Sequence, residues 1–270
     1  MILVDPPAWE ARGRVWSHVA SDTSYAELHE FAARVGLHPL SYDGDHYDVP
    51  SERYEEVLAA GAVPSSAREI LSRVHAAGLR FRKRRGERPL AAIPDGLPYL
   101  PVSHRLDLIA SDREPPEETT VAAVTFVADE RGRTLLIRST HRDSWEGPGG
   151  WREPGEPVRD GAARELREES GMQVAPGDLA ACAYERIILH EELTSGPGAG
   201  RLHPVSHIAV FAATVAGSGP ASAHGPEGHE LGWFGGDELE SRCGGSPWWP
   251  ILARLRRADG SHASRARPVR

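Results

Sequence analysis

The sequence predicts two domains, a small α/β module followed by a sheet-based α+β module. Three observations carry that expectation. The first eighty residues alternate short apolar runs with amphipathic segments in the order β-α-β-α-α. Residues 86–117 are then crowded with proline (Pro89, Pro94, Pro98, Pro101, Pro115 and Pro116), the composition of an extended, semi-rigid connector. Beyond them, strand-like runs surround one acidic helix. A chain of 270 residues suits one large domain or two small ones and is long enough to bury a real core. The expected boundaries are 1–80, a linker over 81–117, a second domain over 118–258 and a flexible basic tail over 259–270.

Ile2-Leu3-Val4 reads as a buried strand stopped by Asp5-Pro6-Pro7. Asp22 or Thr23 is positioned to cap a helix over Tyr25 to Val35, with Leu28, Phe31, Ala32 and Val35 on one face and Gly36 at its end. Leu37 to Tyr42 is a second strand candidate. Ser51 would cap a helix running to about Ala60, and Ser65 or Ser66 another to Ala77, ended by Gly78. Between them lies a turn dense in carboxylates, Asp43 to Asp48. Asp5, His18, Asp43, Asp45, His46 and Asp48 are candidate ligands or acid-base groups, Asp5 standing at the C-terminal end of a strand where α/β proteins often place chemistry. The competing explanation is structural, since such side chains also tie turns to their own backbone.

Arg80 to Arg85 is a short basic run with the character of a solvated linker, although it could also touch phosphate. Val102 to Ala110 reads as a short helix or strand docked on one of the domains. Thr119 to Ala128 and Thr134 to Arg138, joined by Asp129-Glu130-Arg131-Gly132, form a hairpin pattern. A loop over Asp143 to Gly149 leads into Gly150-Trp-Arg-Glu-Pro-Gly-Glu156 and then an acidic helix, with Asp160 as expected N-cap and Gly171 at its C-terminal end. Glu165, Glu168 and Glu169 fall at i, i+3 and i+4, so they share one face and repel. A hard divalent cation would compensate them, because carboxylate oxygens are what Mg²⁺ or Mn²⁺ prefers. Strands follow at Leu179–Leu189 and Val205–Val215, separated by a Gly/Pro loop over Leu193 to His203. A late strand and turn (230–239) and a closing helix over Trp248 to Ala258 complete the pattern.

The stretch from Gly150 to Met172 resembles the signature box of the Nudix hydrolases: Gly, five residues, Glu, seven residues, then Arg-Glu-aliphatic-any-Glu-Glu-any-Gly-aliphatic. Every charged and glycine position is present, and Met172 stands where the family usually has Ile, Leu or Val. Trp145-Glu-Gly-Pro-Gly-Gly150 is similar to the run that precedes the box, with Gly147 where an apolar residue is commoner. The resemblance spans roughly 118–258 and implies the Nudix fold, an α/β/α sandwich with a mixed sheet. It implies hydrolysis of a nucleoside diphosphate linked to another group, with Glu165, Glu168 and Glu169 as metal ligands beside the Gly150 carbonyl. Glu156 would be a further carboxylate, and Arg164 would hold helix and loop in register. Glu227 stands where some members carry an additional functional acid. Substrate-defining secondary motifs at a fixed distance after the box have no counterpart here, since Ile187, Ile188 and Leu189 occupy that place. Trp145, Trp151, Tyr184 and the 193–203 loop are the residues that could contact a base. The N-terminal segment resembles the short bacterial proteins and modules grouped as domain of unknown function 4031, through Val4-Asp-Pro-Pro-Ala-Trp9, Gly13-Arg-Val-Trp-Ser-His18 and Asp45-His-Tyr-Asp-Val-Pro50. That likeness lends no activity.

Hydrophobic residues make up 40% and charged residues 26%, the mix of a globular protein in water. A net charge of −8 argues against a general nucleic-acid binder, whose footprint would be basic, while leaving room for a small nucleotide ligand. Lys83 is the only lysine, which reads as compositional bias. Two cysteines make no disulfide framework, and the first residues lack a signal peptide's basic and apolar regions, so a cytoplasmic setting is expected. No run approaches a membrane span. The expected function is a Mg²⁺- or Mn²⁺-dependent pyrophosphohydrolase. The alternative is a non-catalytic nucleotide sensor on the same scaffold, with the N-terminal domain as effector. A further alternative makes the N-terminal domain an enzyme in its own right. Neither substrate nor oligomeric state follows from the sequence.

Overall fold

The computed structural model describes residues 1–11, 13–138, 144–216 and 223–263, with side chains through 257. The chain divides into two compact units, Met1–Ala92 and Ile93–Arg270. In the first, β1 (Ile2–Val4), β2 (Trp9–Ala11), β3 (Arg14–Ser21), α1 (Tyr25–Arg34), β4 (Tyr47–Pro50), α2 (Tyr54–Ala59), β5 (Val63–Pro64) and α3 (Ala67–Ala76) follow one another. The sheet has the order β2-β3-β1-β5, with β4 also paired to β3. β1 is buried on both faces, which is why it reads as an unbroken apolar run. Ile2 and Val4 pack with Leu28, Phe31 and Val57, whereas Leu3 packs with Ile70 and Val74, as the two-residue period of a strand requires.

Several sequence expectations for this unit need correction. Ser24, not Asp22 or Thr23, caps α1, its hydroxyl accepting from the Glu27 N–H; Asp22 instead pairs with the N-terminal ammonium at 2.7 Å. Leu37 to Tyr42 is not a strand but contains a 3₁₀ turn over Pro39–Ser41, where proline fixes φ and removes a ladder donor. The strand that does exist, β3, was hidden by its polar Ser17 and His18. α2 starts at Tyr54, after a 3₁₀ turn at Ser51–Arg53, while α3 is capped by Ser66 as one of the two expected residues. The basic run is not a bare solvated segment: Arg80 pairs with Asp45 at 2.7 Å, Lys83 with Asp43, and Arg84 with Glu87 at 2.5 Å.

β6 (Arg88–Pro94) carries the chain from the first unit into the second. The second unit continues with β7 (His104–Ala110), β8 (Thr120–Asp129), β9 (Thr134–Arg138), β10 (Trp145–Glu146), β11 (Gly149–Trp151), α4 (Val158–Ser170), β12 (Ala180–Leu189), β13 (Val205–Val215), β14 (Glu230–Phe234), α5 (Gly236–Cys243) and α6 (Trp249–Ala263). Its strands run in the order β10-β9-β8-β13-β12-β7, with β11 on β8 and β14 on β9. The sheet is mixed: β8 and β13 are parallel over Thr120–Asp129, and β12 is antiparallel to both β13 and β7. Ala123 and Val127 of β8 face α4, packing with Val158, Ala162, Leu166 and Phe211. Phe126 points to the opposite face, where its ring meets Trp248 at 5.4 Å, just ahead of α6.

Within the connector expected over 81–117, the segment at Val102 to Ala110 that reads as a docked helix or strand is the strand β7, whose seven residues are all buried and pair with Ala183–Leu189 of β12. The prolines of the segment lie outside His104–Ala110, so every ladder donor survives. Asp107 is fully buried there, held by Arg105 at 2.9 Å and Arg186 at 2.5 Å. The tail is also corrected: α6 extends to Ala263, and 264–270 lie outside the described residues. The loop expected over 143–149 contains β10, and Asp143 lies outside the described residues. Both cysteines are free, and burial pushes their thiols up to about 12 for Cys182 and about 11 for Cys243.

Candidate active site

α4 begins after Pro157, so Asp160 is not the N-cap but sits in the first turn, where its charge favours the helix dipole. Gly171 closes the helix at φ 74°, its N–H returning to the Arg167 carbonyl. Between these ends, one cation organises the acidic face. Arg164 donates through Nε and Nη2 to both Glu156 oxygens, at 2.9 and 3.0 Å. Its Nη1 reaches Glu165 and Glu168, each at 2.9 Å, and Nη2 also donates to the Trp151 carbonyl at 3.1 Å. The paired carboxylates hold the guanidinium above its ordinary value, and its hydrogen bond, more than any other cause, lowers Glu156. Two glycines leave room for the carboxylates in these positions. A Cβ on Gly150 would lie 2.6 Å from the Glu165 carboxyl, and one on Gly161 would lie 2.8 Å from Glu156 Oε2.

Glu169 lies outside Arg164's reach. Its Oε2 accepts from the Gly149 N–H at 2.7 Å. Burial, reinforced by the charges of Glu165, Glu146 and Glu227, pushes its carboxyl up to about 8 against that bond. Glu165 is raised as well, chiefly by burial. A tight turn brings two more groups in: Gly225 N–H donates to His229 and Gly228 N–H to Gly225. Gly225 is pressed so close to the Glu169 carbonyl that a Cβ there would sit 1.7 Å from it. As a result His229 Nε2 lies 3.7 Å from Glu169 and 3.8 Å from Glu227. Glu169, Glu227 and His229 present ligand atoms within 4.8 Å of one another.

Alongside this face opens a cavity of about 440 Å³, walled by Trp151, Val124, Ile187, Ile208 and Trp248 and floored by Gly149-Gly150. Pro197 and Leu202, from the expected loop, also line it, as does Glu185 of β12. Glu185 is 7% exposed, and burial followed by the Glu146 charge pushes it up to about 7. Of the residues expected to meet a base, Trp151 and the 193–203 loop lie on the cavity. Tyr184 is buried in the core, and Trp145 instead packs on Phe234, with Arg242 over its ring.

The structure therefore brings Gly150, Glu156, Arg164, Glu165, Glu168, Glu169 and Glu227 together. Sequence reasoning missed Glu146, Glu185 and His229. Glu185 had a legible signal: Ala183, Glu185 and Ile187 share one strand face, so a carboxylate stands in an apolar row. His229 had none, because the turn at Gly225 positions it.

The N-terminal candidates also assemble, within their own unit. His18 of β3 and Asp48 of β4 are cross-strand partners. Asp5 follows β1 and bonds His18, while Asp45 bonds its neighbour His46. Asp43 goes elsewhere, to Lys83.

A family model described as a NUDIX domain matches residues 118–255, and one described as a protein of unknown function (DUF4031) matches residues 2–77. A MutT-like protein of Streptomyces ambofaciens is 39% identical over 70 residues, which are 24% of this chain and 46% of the relative, so the match spans about half of that relative's length. Solved structures that are similar include the C. elegans Ap4A hydrolase (16% identical, 52% of this chain and 98% of that one, TM-score 0.39). The Bacillus subtilis pyrophosphohydrolase BsRppH is 18% identical over 60% of this chain and 94% of its own, with a TM-score of 0.40. MutT from Methanosarcina mazei Go1 is 23% identical over 52% and 94%, with a TM-score of 0.37.

Proposed function

The chain belongs to the Nudix family, and from that premise we propose that it is a divalent-metal-dependent hydrolase of a pyrophosphate bond in a nucleoside diphosphate derivative. The observation that carries this reading is an imbalance of charge: Glu165, Glu168, Glu169 and Glu227 converge beside a cavity, and Arg164 bonds only the first two of them, with Glu156. A cluster of like charges whose inner members, Glu165 and Glu169, are largely buried is costly without further positive charge. Its donors are hard oxygens, the set that Mg²⁺ or Mn²⁺ takes. Glu165, Glu168 and Glu169, with the Gly150 carbonyl, would hold such an ion. Such an ion would supply positive charge for the pyrophosphate and a lowered pKa for the attacking water.

The chain's own groups then have distinct tasks. Arg164 positions the ligands: by clamping Glu156 to the helix it fixes the loop at Trp151 against Glu165 and Glu168. Glu227, half exposed on its turn, is the candidate general base, and His229 lies between it and Glu169 to hold or pass a proton. The cavity beyond Gly150 takes the apolar face of the substrate, with Trp151 and Trp248 available for stacking.

The test is nucleotide or phosphate release from NTPs, nucleotide sugars, ADP-ribose and dinucleotides with Mg²⁺ and Mn²⁺, for the wild type and Glu168→Gln. Turnover of one substrate that falls at least about tenfold in the variant supports the hydrolase. Binding across the panel with no turnover sinks it in favour of a nucleotide sensor.

A further inference from the structure

We propose that His18, His46 and Asp48 form a second, independent site, one for a borderline divalent transition-metal ion such as Zn²⁺. The three side chains are partly exposed, and one ligand atom from each falls within a sphere where all are less than 4.8 Å apart. Strand pairing sets this up. His18 and Asp48 are direct partners across β3 and β4, so their side chains leave the same face, and the two imidazole rings meet edge to face at 5.0 Å.

The orientation of each ring is fixed from behind. His18 Nδ1 lies 2.9 Å from Asp5 Oδ2, and Asp5 is itself buried and accepts the His18 backbone N–H. His46 Nδ1 lies 2.8 Å from Asp45 Oδ1. Asp45 is 4% exposed and pinned by the Phe81 N–H at 2.8 Å and by Arg80 at 2.7 Å. A carboxylate on Nδ1 selects the tautomer that offers Nε2 as a lone pair, the arrangement by which proteins aim histidines at metals. The same side chains that could have been mere turn ties thus form two oriented Asp–His pairs pointing at one spot.

A second geometric fact is independent of these pairs. His46 Nε2 and Asp48 Oδ1 face each other at 3.5 Å. With Nδ1 engaged by Asp45, this gap holds either the proton of an imidazolium or, in its place, a bound cation. Two ligands about 2.0–2.1 Å from a tetrahedral zinc lie roughly 3.3 Å apart, close to the spacing seen. Two imidazoles and one carboxylate suit Zn²⁺, Mn²⁺ or Fe²⁺ better than Mg²⁺, and three protein ligands leave a coordination position open to solvent. Trp9, half exposed, stacks on His18 with ring centroids 5.7 Å apart.

The experiment uses the full chain carrying Glu168→Gln and Glu169→Gln, so that the acidic box no longer competes. After chelator treatment it is titrated with Co²⁺ and Zn²⁺ in the presence of millimolar Mg²⁺. Visible Co²⁺ absorption and metal analysis after dialysis are read, with circular dichroism as a check on fold. One retained equivalent is expected, abolished by His18→Ala and by Asp48→Asn, and weakened roughly 10–100-fold by Asp5→Asn, which removes only an orienting group. Asp48→Asn is isosteric, so a folding failure of His18→Ala does not leave the site undecided. No retained equivalent, or one that survives Asp48→Asn unchanged, overturns the proposal and leaves a protonated His46 between two carboxylates.

Discussion

Glu185 is the residue whose chemistry and position disagree most. It is buried on a face otherwise made of Ala183 and Ile187, and no hydrogen bond reaches its carboxyl among the described residues. Its ordinary value of 4.5 is pushed up to about 7, so the folded state holds the proton more tightly than the unfolded one. Stability from the protonated acid is complete below about pH 4.5, falls as pH rises and is lost above about 7; the total is roughly 3 kcal/mol. Glu185→Gln should therefore match the wild type in urea midpoint at pH 4.5 and exceed it at pH 8. An equal gap at both pH values would mean that the carboxyl is not the cause. At this scale the site was only partly legible. The box residues were readable because their spacing is local, and Gly150 because a pattern demanded it. Glu146 and His229 join through strand pairing and a turn at Gly225, and neither contact leaves a mark on nearby sequence.

Among the elements, α4 shows how a helix end can govern a site. Gly171 adopts φ 74°, a conformation that costs a residue with a Cβ about 1–2 kcal/mol, and a Cβ there would meet Pro226, on the turn that carries Glu227, only at the ordinary contact distance of 3.7 Å. Gly171→Ala should lower stability by about 1 kcal/mol in denaturant titration. Because the turn that carries Glu227 presses on the end of α4 through Gly225, against the Glu169 carbonyl, a shifted cap should also reduce turnover more than the stability loss alone would. Loss of stability with unchanged kcat would separate the cap from the site. Helices and strands with clean periodicity, such as α1, α3, β8 and β13, were legible to within a residue or two. β3 was not, because Ser17 and His18 interrupt its apolar pattern and its stability comes from three neighbouring strands. The expected strand at Leu37 failed for the opposite reason, an apolar pattern interrupted by Pro39, after which the N–H groups of Ser41 and Tyr42 bond locally in a 3₁₀ turn instead of a ladder.

At the level of the whole molecule, the question is where the hydrolase unit begins. The family match starts at residue 118, yet the sheet starts earlier. β7 lies at 104–110, is buried along its length and pairs with seven residues of β12, including Glu185 and Ile187 beside the cavity. It also brings Asp107, fully buried and paired with Arg105 of the same strand and with Arg186 of β12, so losing β7 removes a buried ion pair that ties the two strands together. Removing one member of such a buried ion group costs about 3–5 kcal/mol, and an uncovered β12 becomes an open, apolar edge prone to pairing with other chains. A fragment covering 93–270 should accordingly unfold cooperatively and turn over the same substrate as the full chain. A fragment covering 118–270 should aggregate or lose its cooperative transition, as size-exclusion chromatography and thermal melts would reveal. If the shorter fragment melted at the same temperature and kept its activity, β7 would be an ornament of the sheet. The prolines that flank it would then mark a connector, as the sequence suggested.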